Sequence, residues 1–361
     1  MKQTTSSTIF PAPPDGAADA LLSWFSENKR DLPFRRPGET TRADPYRVWI
    51  SEIMAQQTQI DTLIPYFERF IAVFPTLKDL AEASEEAVLK LWEGLGYYSR
   101  ARNLRKAAIQ IQALGDFPDT AKALAKLPGI GPYTAGAVAS LAFNQKAAAV
   151  DGNVLRVVSR LMDSPADTAL PAVRKAISAW LLTWMPADRP GDFNEALMEL
   201  GALVCTPKSP SCLICPWRDV CLALKNGTIG ERPVKSKRMK HRTEKIAAAI
   251  VTDAAGRLLI HRRPSNGLLA GLWELPNVTN SKESAAALKR YLESVLDTTV
   301  SDPVFIKNGR HVFTHITWQI AVYQLPLHSS ATLKSRDWVF ADRDDLKTRY
   351  PLPTAFSKLL A

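Results

Sequence analysis

Cys205, Cys212, Cys215 and Cys221 are the only cysteines of the chain, and they follow one another as Cys-x6-Cys-x2-Cys-x5-Cys. Pro207, Pro210 and Pro216 bend this segment, so thiolates at uneven spacing can converge on one centre. Zinc sites more often pair two Cys-x2-Cys units, whereas here a single tight pair has longer arms on either side. Iron–sulfur clusters accept several four-cysteine spacings, so the spacing predicts a bound metal centre without choosing the metal. No secretory n-region and h-region is visible, which argues against two disulfides.

A second pattern lies upstream. Leu127-Pro128-Gly129-Ile130-Gly131-Pro132-Tyr133-Thr134-Ala135 separates two helical stretches. Gly129 and Gly131 permit a tight turn, and the N–H groups of the helix that follows suit a phosphate. Further on, an apolar run ends in Val150-Asp151-Gly152-Asn153, with Asp151 placed to cap another helix. All five histidines, His241, His261, His311, His315 and His328, come later in the chain. If the helical part is catalytic and its thiols hold metal, carboxylates are its acid and base candidates.

The elements that must position these groups show in the periodicity. From about Asp19 to Lys225 apolar residues recur at three- and four-residue spacing, as in Val48-Trp49-Ile53 and Val88-Leu89-Leu91-Trp92. Asp44-Pro45 predicts a helix start, with Asp as N-cap and Pro at the first helical position. Beyond a basic stretch the pattern changes. Ile246–Val251 and Arg257–His261 flank Asp253-Ala-Ala-Gly256, a hairpin signal; Ala285–Leu296 predicts a helix and Val312–Leu325 a strand. The chain of 361 residues is long enough for two cores, and its 46% hydrophobic content argues for globular structure. The organisation predicted is a flexible leader (1–18), an all-α domain (19–225), a basic linker (226–245) and a smaller α+β domain (246–361). The net charge of +10, much of it in the eight Lys/Arg against two Glu of Lys225–Lys245, suits nucleic acid. Apolar runs are too short to cross a bilayer, so a soluble, cytoplasmic protein is expected; a monomer is expected as well.

The glycine turn resembles the helix-hairpin-helix of DNA-repair glycosylases. Followed by Asp151 and the four-cysteine run, it is similar to the endonuclease III superfamily, whose cysteines bind a [4Fe–4S] cluster at this spacing. The bifunctional lyases of that superfamily carry a nucleophilic lysine where this chain has Tyr133, so the resemblance implies a monofunctional, base-removing enzyme. Trp49-Ile50-Ser51-Glu52-Ile53-Met54-Ala55-Gln56-Gln57-Thr58, Gly94-Leu95-Gly96-Tyr97-Tyr98-Ser99-Arg100 and Phe193-Asn194-Glu195-Ala196-Leu197-Met198 resemble the MutY-type adenine DNA glycosylases. That family joins a helix-hairpin-helix glycosylase domain to a small Nudix-like domain, and acts on double-stranded DNA carrying adenine opposite 8-oxoguanine or guanine.

The resemblance also implies roles. Glu52 would protonate the adenine, Asp151 would stabilise the sugar cation, and Tyr133 and Asn153 would position Asp151 and the water. Arg35, Gln57 and Glu195 would hold the extruded adenine. Gln56, Tyr97, Gly129 and Gly131 would contact DNA, with Tyr97 as the wedge. Phe313-Thr314-His315 would read the lesion, and Cys205, Cys212, Cys215 and Cys221 would hold the cluster, with Lys208 and Arg218 in its loop. Ala55 and Thr314 depart from the Leu and Ser usual in the family. Ser281-Lys-Glu-Ser-Ala-Ala-Ala-Leu-Lys-Arg has a single carboxylate where nucleotide hydrolases have an acidic helix, so no hydrolase activity is expected.

Overall fold

The computed structural model describes residues 10–35, 43–236, 241–279, 284–327, 333 and 335–360. Its contacts divide the chain into two compact units, Met1–Glu82 with Asn103–Lys237, and Ala83–Arg102 with Arg238–Ala361.

The first unit is helical, and no strand occurs among its described residues. Its helices are α1 (Ala17–Asn28), α2 (Pro45–Ala55), α3 (Ile60–Val73) and α4 (Leu77–Glu82); α5 (Glu85–Leu91) belongs to the second unit. Next come α6 (Ser99–Leu114), α7 (Ala121–Leu124), α8 (Pro132–Phe143), α9 (Gly152–Leu161), α10 (Pro171–Trp184), α11 (Pro190–Leu203) and the short α12 (Leu222–Lys225). Asp44 caps α2 as expected, its side chain accepting from Tyr46 N at 2.9 Å with Pro45 in the first turn. Helix α8 is buried at every position from Thr134 to Ala142, which is why small residues dominate it. One core joins Leu21 and Phe25 of α1, Val154 and Val158 of α9, Ile177 and Trp180 of α10, and Phe193 and Leu200 of α11.

Two stretches pack more firmly than the sequence suggests. Phe10, inside the expected leader, is buried with its ring 5.9 Å from Trp180, whose Nε1 donates to the Pro11 carbonyl at 2.7 Å. Residues 1–9 of that leader lie outside the described residues. Within the expected linker, Asn226 Nδ2 and Thr228 Oγ1 donate to the Asp163 carboxylate at 2.9 and 2.6 Å. The Thr168 hydroxyl donates to the Val234 carbonyl at 3.0 Å, and Ser236 N to Asp167 at 3.2 Å. Residues 226–236 therefore run against the loop that follows α9. Residues 237–240 lie outside the described residues.

Among its described residues the second unit has seven strands: β1 (Arg242–Thr252), β2 (Leu258–Arg262), β3 (Trp273–Glu274), β4 (Asn277–Thr279), β5 (Val304–Val312), β6 (Ile316–Pro326) and β7 (Trp338–Ala341). The order is β3-β2-β1-β6-β5, with β4 paired to β1 and β7 to β2. Strands β1 and β6 run parallel from Arg242↔Ile316 to Thr252↔Pro326, and the other pairs are antiparallel. Alternation along β1 sends Ile246 and Ala248 to one face and Ala247, Ala249 and Val251 to the other. Helix α13 (Ser284–Leu296) covers the second face through Leu288, Leu292 and Leu296. Tyr350, Leu352, Phe356 and Leu359 cover the first. The hairpin at Asp253–Gly256 forms as predicted, and the strand expected over Val312–Leu325 forms as β6, but only from Ile316. Val312 instead ends β5, and the tight turn at 313–315 is closed by Phe313 N donating to Ile316 O at 2.8 Å. Ser281 to Glu283 of the hydrolase comparison lie outside the described residues.

Candidate active site and cysteine loop

Glu52 stands on α2, Tyr133 in the first turn of α8, Asp151 at the cap of α9, and Glu195 on α11. Together with Arg35, Gln56, Gln57, Gly129, Gly131 and Asn153 they line one cavity of about 810 Å³ in the first unit. Helix packing explains the convergence. A Cβ added at Gly201 of α11 would stand 2.6 Å from Asn153 Cβ, so glycine there lets α11 lie against the start of α9. Buried Asn194 ties down the segment before Asp151, accepting from Ala149 N at 3.0 Å and donating to the Ala147 carbonyl at 2.8 Å.

Tyr133 donates its hydroxyl hydrogen to Glu52 Oε2 at 2.6 Å, with Met198 Sδ 3.2 Å from the Tyr133 hydroxyl oxygen. Among the described residues no hydrogen bond reaches Glu52 Oε1. Burial pushes the Glu52 carboxyl up to about 7; the Tyr133 bond and Arg35 pull it down, while Asp151 and Glu195 push it further up. Asp151 does both things its position allows. Its Oδ1 accepts the Val154 N–H at 2.7 Å as an N-cap, and its Oδ2 accepts from Asn153 Nδ2 at 3.0 Å. Burial raises its carboxyl too, opposed by those same hydrogen bonds and by Arg156. The Tyr133 phenol is raised well above its ordinary value, first by burial and then by the Glu52 and Asp151 charges, so it stays a donor.

Arg35 is held on three edges: Nε to Glu195 Oε1 at 3.0 Å, Nη1 to the Arg30 carbonyl at 2.7 Å, and Nη2 to Glu199 Oε2 at 2.7 Å. Sequence reasoning missed Glu199. Its signal was there, one helical turn beyond Glu195 on the same face of α11. Gln57 is exposed at the rim with φ 60°, and Gln56 Nε2 donates to Thr134 Oγ1 at 3.2 Å. In the glycine turn, Gly129 has φ +77° and an added Cβ would sit 2.7 Å from Asn103 Cβ, so glycine is required there. Gly131 differs from expectation. Its φ of −84° suits any residue, and with nothing within 4 Å of a Cβ it leaves the backbone at the start of α8 open.

The other expected DNA-contacting residues lie in the second unit. Tyr97, with φ 48°, places its hydroxyl 2.6 Å from Thr314 Oγ1. Both sit in exposed turns. The ring of Phe313 stands 4.9 Å from Trp318 and 4.6 Å from His311, and His315 is exposed beside them. Segment Ala83–Arg102, which carries Tyr97, groups with the sheet rather than with the helical unit. Lys90 Nζ donates to Glu93 Oε2 at 2.5 Å and to the Leu346 carbonyl at 2.7 Å. Arg102 pairs with Glu85 at 3.1 Å.

The four cysteines surround a common small cavity, with Arg218 and the apolar Val204, Leu224 and Ile229 completing its lining. They are free thiols, not disulfides. Burial, then the charges of Cys205, Cys221 and Cys212, push Cys215 up to about 12, the crowding that a bound cationic centre offsets. Arg160 of α9 is buried behind the loop, its Nη1 3.4 Å from Cys205 Sγ and 2.7 Å from the Thr206 carbonyl. Among the described residues no group of three or more His, Cys, Asp or Glu is arranged to hold a metal ion directly. A shared cavity ringed by four thiols fits a cluster of several atoms, and these residues would hold an iron–sulfur centre.

Residues 50–181 match the family of HhH-GPD superfamily base excision DNA repair proteins, residues 205–221 the iron–sulfur binding domain of endonuclease III, and residues 247–361 the NUDIX domain. A solved thermostable thymine-DNA glycosylase superposes with TM-score 0.51 at 27% identity, covering 58% of this chain and 95% of its own. Fold and site thus define a base-excision DNA glycosylase with an iron–sulfur loop, a hydrolase of N-glycosyl bonds. The adenine DNA glycosylase of Rattus norvegicus is 38% identical over 377 residues, covering 88% of this chain and 73% of its own. That of Mus musculus is 38% identical over 361 residues, covering 85% and 70%. The chain belongs to the family of MutY-type adenine DNA glycosylases.

Proposed function

We propose that this chain removes adenine mispaired with 8-oxoguanine, or with guanine, from double-stranded DNA, and does so as a monofunctional hydrolase. The observation that carries this reading is the Tyr133–Glu52 hydrogen bond beside Asp151: a carboxyl pushed up to about 7, a second carboxylate, and no lysine among the described residues lining the cavity to attack the sugar. Breaking the bond to deoxyadenosine needs a protonated leaving base and a stabilised oxocarbenium-like sugar, and two carboxyl groups of differing environment supply both. Glu52 gives its proton to adenine N7 from Oε1 while Tyr133 holds Oε2, and later takes a proton from the attacking water. Asp151, fixed by its cap and by Asn153, faces C1′ as an anion. Tyr133 and Asn153 thus act through the carboxylates they hold.

Arg35, Gln57 and Glu195 hold the edges of the extruded base, whose unstacking costs a few kcal/mol. Gln56 and the backbone at Gly129 and Gly131 meet the DNA strand, and Tyr97 fills the opened stack. Phe313, Thr314 and His315 read the opposing 8-oxoguanine, whose N7–H offers a donor that guanine lacks. Cys205, Cys212, Cys215 and Cys221 would hold a [4Fe–4S] cluster, which when bound orders the loop carrying Lys208 and Arg218 against phosphate. The Nudix-like unit hydrolyses no nucleotide in this reading.

The test is single-turnover excision on duplexes with A opposite 8-oxoguanine, G, T or C, developed with and without alkali. Alkali-dependent cleavage at the adenine strand, fastest opposite 8-oxoguanine, is expected. Cleavage without alkali would show a lyase, and equal rates on all four duplexes would remove the lesion reader.

A further inference from the structure

Glu199 is the most thoroughly satisfied carboxylate beside the cavity, and the mechanism above gives it no part. It is 1% exposed and accepts four N–H groups. Arg30 gives its backbone N at 2.9 Å and Nε at 2.8 Å to Oε1, and Nη2 at 2.9 Å to Oε2; Arg35 Nη2 reaches Oε2 at 2.7 Å. Arg35 in turn leans on the Arg30 carbonyl at 2.7 Å and on Glu195 at 3.0 Å. Since Arg30 is clamped to Glu199 through backbone and side chain alike, two of the three contacts that fix the Arg35 guanidinium run through Glu199.

We propose that Glu199 is a positioning residue that fixes Arg35 and balances its charge opposite Glu52, and so sets the pH range over which the cavity can protonate a base. The inference rests on the reading of Glu52 as the acid. The groups facing Glu52 are Tyr133 of α8, Asp151 before α9, Glu195 of α11, and Arg35 from the segment after α1. Those facing Glu199 are Arg30 and Arg35. The row Arg30–Glu199–Arg35–Glu195 carries no net charge while Glu199 is ionised, and the two arginine bonds hold its carboxyl down at about 2 against the upward push of burial. Glutamine at 199 keeps the shape and leaves one positive charge uncompensated. That charge favours ionised Glu52, so protonated Glu52 would be lost at lower pH. Arg30→Met changes the row by one charge in the other direction.

The experiment is single-turnover excision of A opposite 8-oxoguanine from pH 5.5 to 9, with the active fraction read from the amplitude. It compares the full chain with its Glu199→Gln, Glu199→Asp and Arg30→Met variants. The wild-type rate is expected to fall as pH rises through about 7. Glu199→Gln moves that midpoint down by about one pH unit, as one uncompensated charge across a partly wet cavity would. Glu199→Asp keeps the charge and the midpoint, whatever its rate. Arg30→Met moves the midpoint up, and it carries the test alone if Glu199→Gln does not fold. A fall in amplitude with every midpoint unmoved would reduce Glu199 to packing and overturn the inference. A wild-type profile with no falling limb would instead overturn the reading of Glu52.

Discussion

Replacing Glu52 by Gln should abolish excision and yet make the protein more stable above neutral pH. The carboxyl is raised from 4.5 to about 7, chiefly by burial. At low pH it is protonated in both folded and unfolded chains and contributes no difference. As pH rises from 4.5 the unfolded chain releases its proton first, so stability falls until pH passes the folded value and then levels off. At about 1.4 kcal/mol per unit the whole shift amounts to about 3 kcal/mol, an upper bound because the half-buried group opens onto a cavity that admits water. Glutamine removes that cost and still offers an oxygen to the Tyr133 hydroxyl. For a unit of this size each kcal/mol moves the melting temperature by about 2–4 °C. Thermal unfolding of wild type and Glu52→Gln at pH 8 should therefore differ by several degrees in favour of the variant, and the gap should close near pH 5. Equal melting temperatures at pH 8, or a less stable variant, would refute the account of Glu52 as a strained acid. Inactivity alone would not distinguish the accounts.

Tyr133→Phe removes the donor that lowers the Glu52 carboxyl, so the falling limb of the pH–rate profile should move up by about one unit while the maximal rate drops; a downward shift would contradict the assigned bond. Thr314→Val keeps the volume but loses the hydroxyl that meets Tyr97 at 2.6 Å. About tenfold of the preference for adenine opposite 8-oxoguanine over guanine should go with it, and an unchanged ratio in competition would dismiss the lesion-reading role. Gly129→Ala forces a side chain into φ +77° and against Asn103. Denaturant unfolding should show a loss of about 1–3 kcal/mol, with weaker duplex binding in gel-shift titration.

How much of this could be read before folding differs from residue to residue. Asp44-Pro45 and Asp253–Gly256 are local signals, and each formed where it was expected. Glu52 and Asp151 were singled out by motif order, since a lone helical Glu or a capping Asp has no signature of its own. Glu199 shows the limit: a buried, doubly paired glutamate is spelled like a solvated one, and only the long-range approach of Arg30 tells them apart. The strand expected over Val312–Leu325 begins four residues late, at Ile316, because alternation of side chains continues through a tight turn, and nothing in a period of two marks where hydrogen bonding stops. Phe10 was read as leader because one aromatic among prolines carries no periodicity. Glu85–Leu91 forms a helix as its periodicity predicts, but an apolar stripe does not say which core it will join.

Because Ala83–Arg102 groups with Arg238–Ala361, the chain passes from one unit to the other three times, at 82–83, 102–103 and 237–238. A stop codon or a protease cut near 237 would not free an intact module. It would strip Lys90 of the Leu346 and Tyr350 carbonyls, Glu86 of Arg262 and Tyr97 of Thr314, leaving a loop inside the remaining piece without its scaffold. Once an inserted segment takes its footing from a downstream neighbour, the two coding regions can be lost only together.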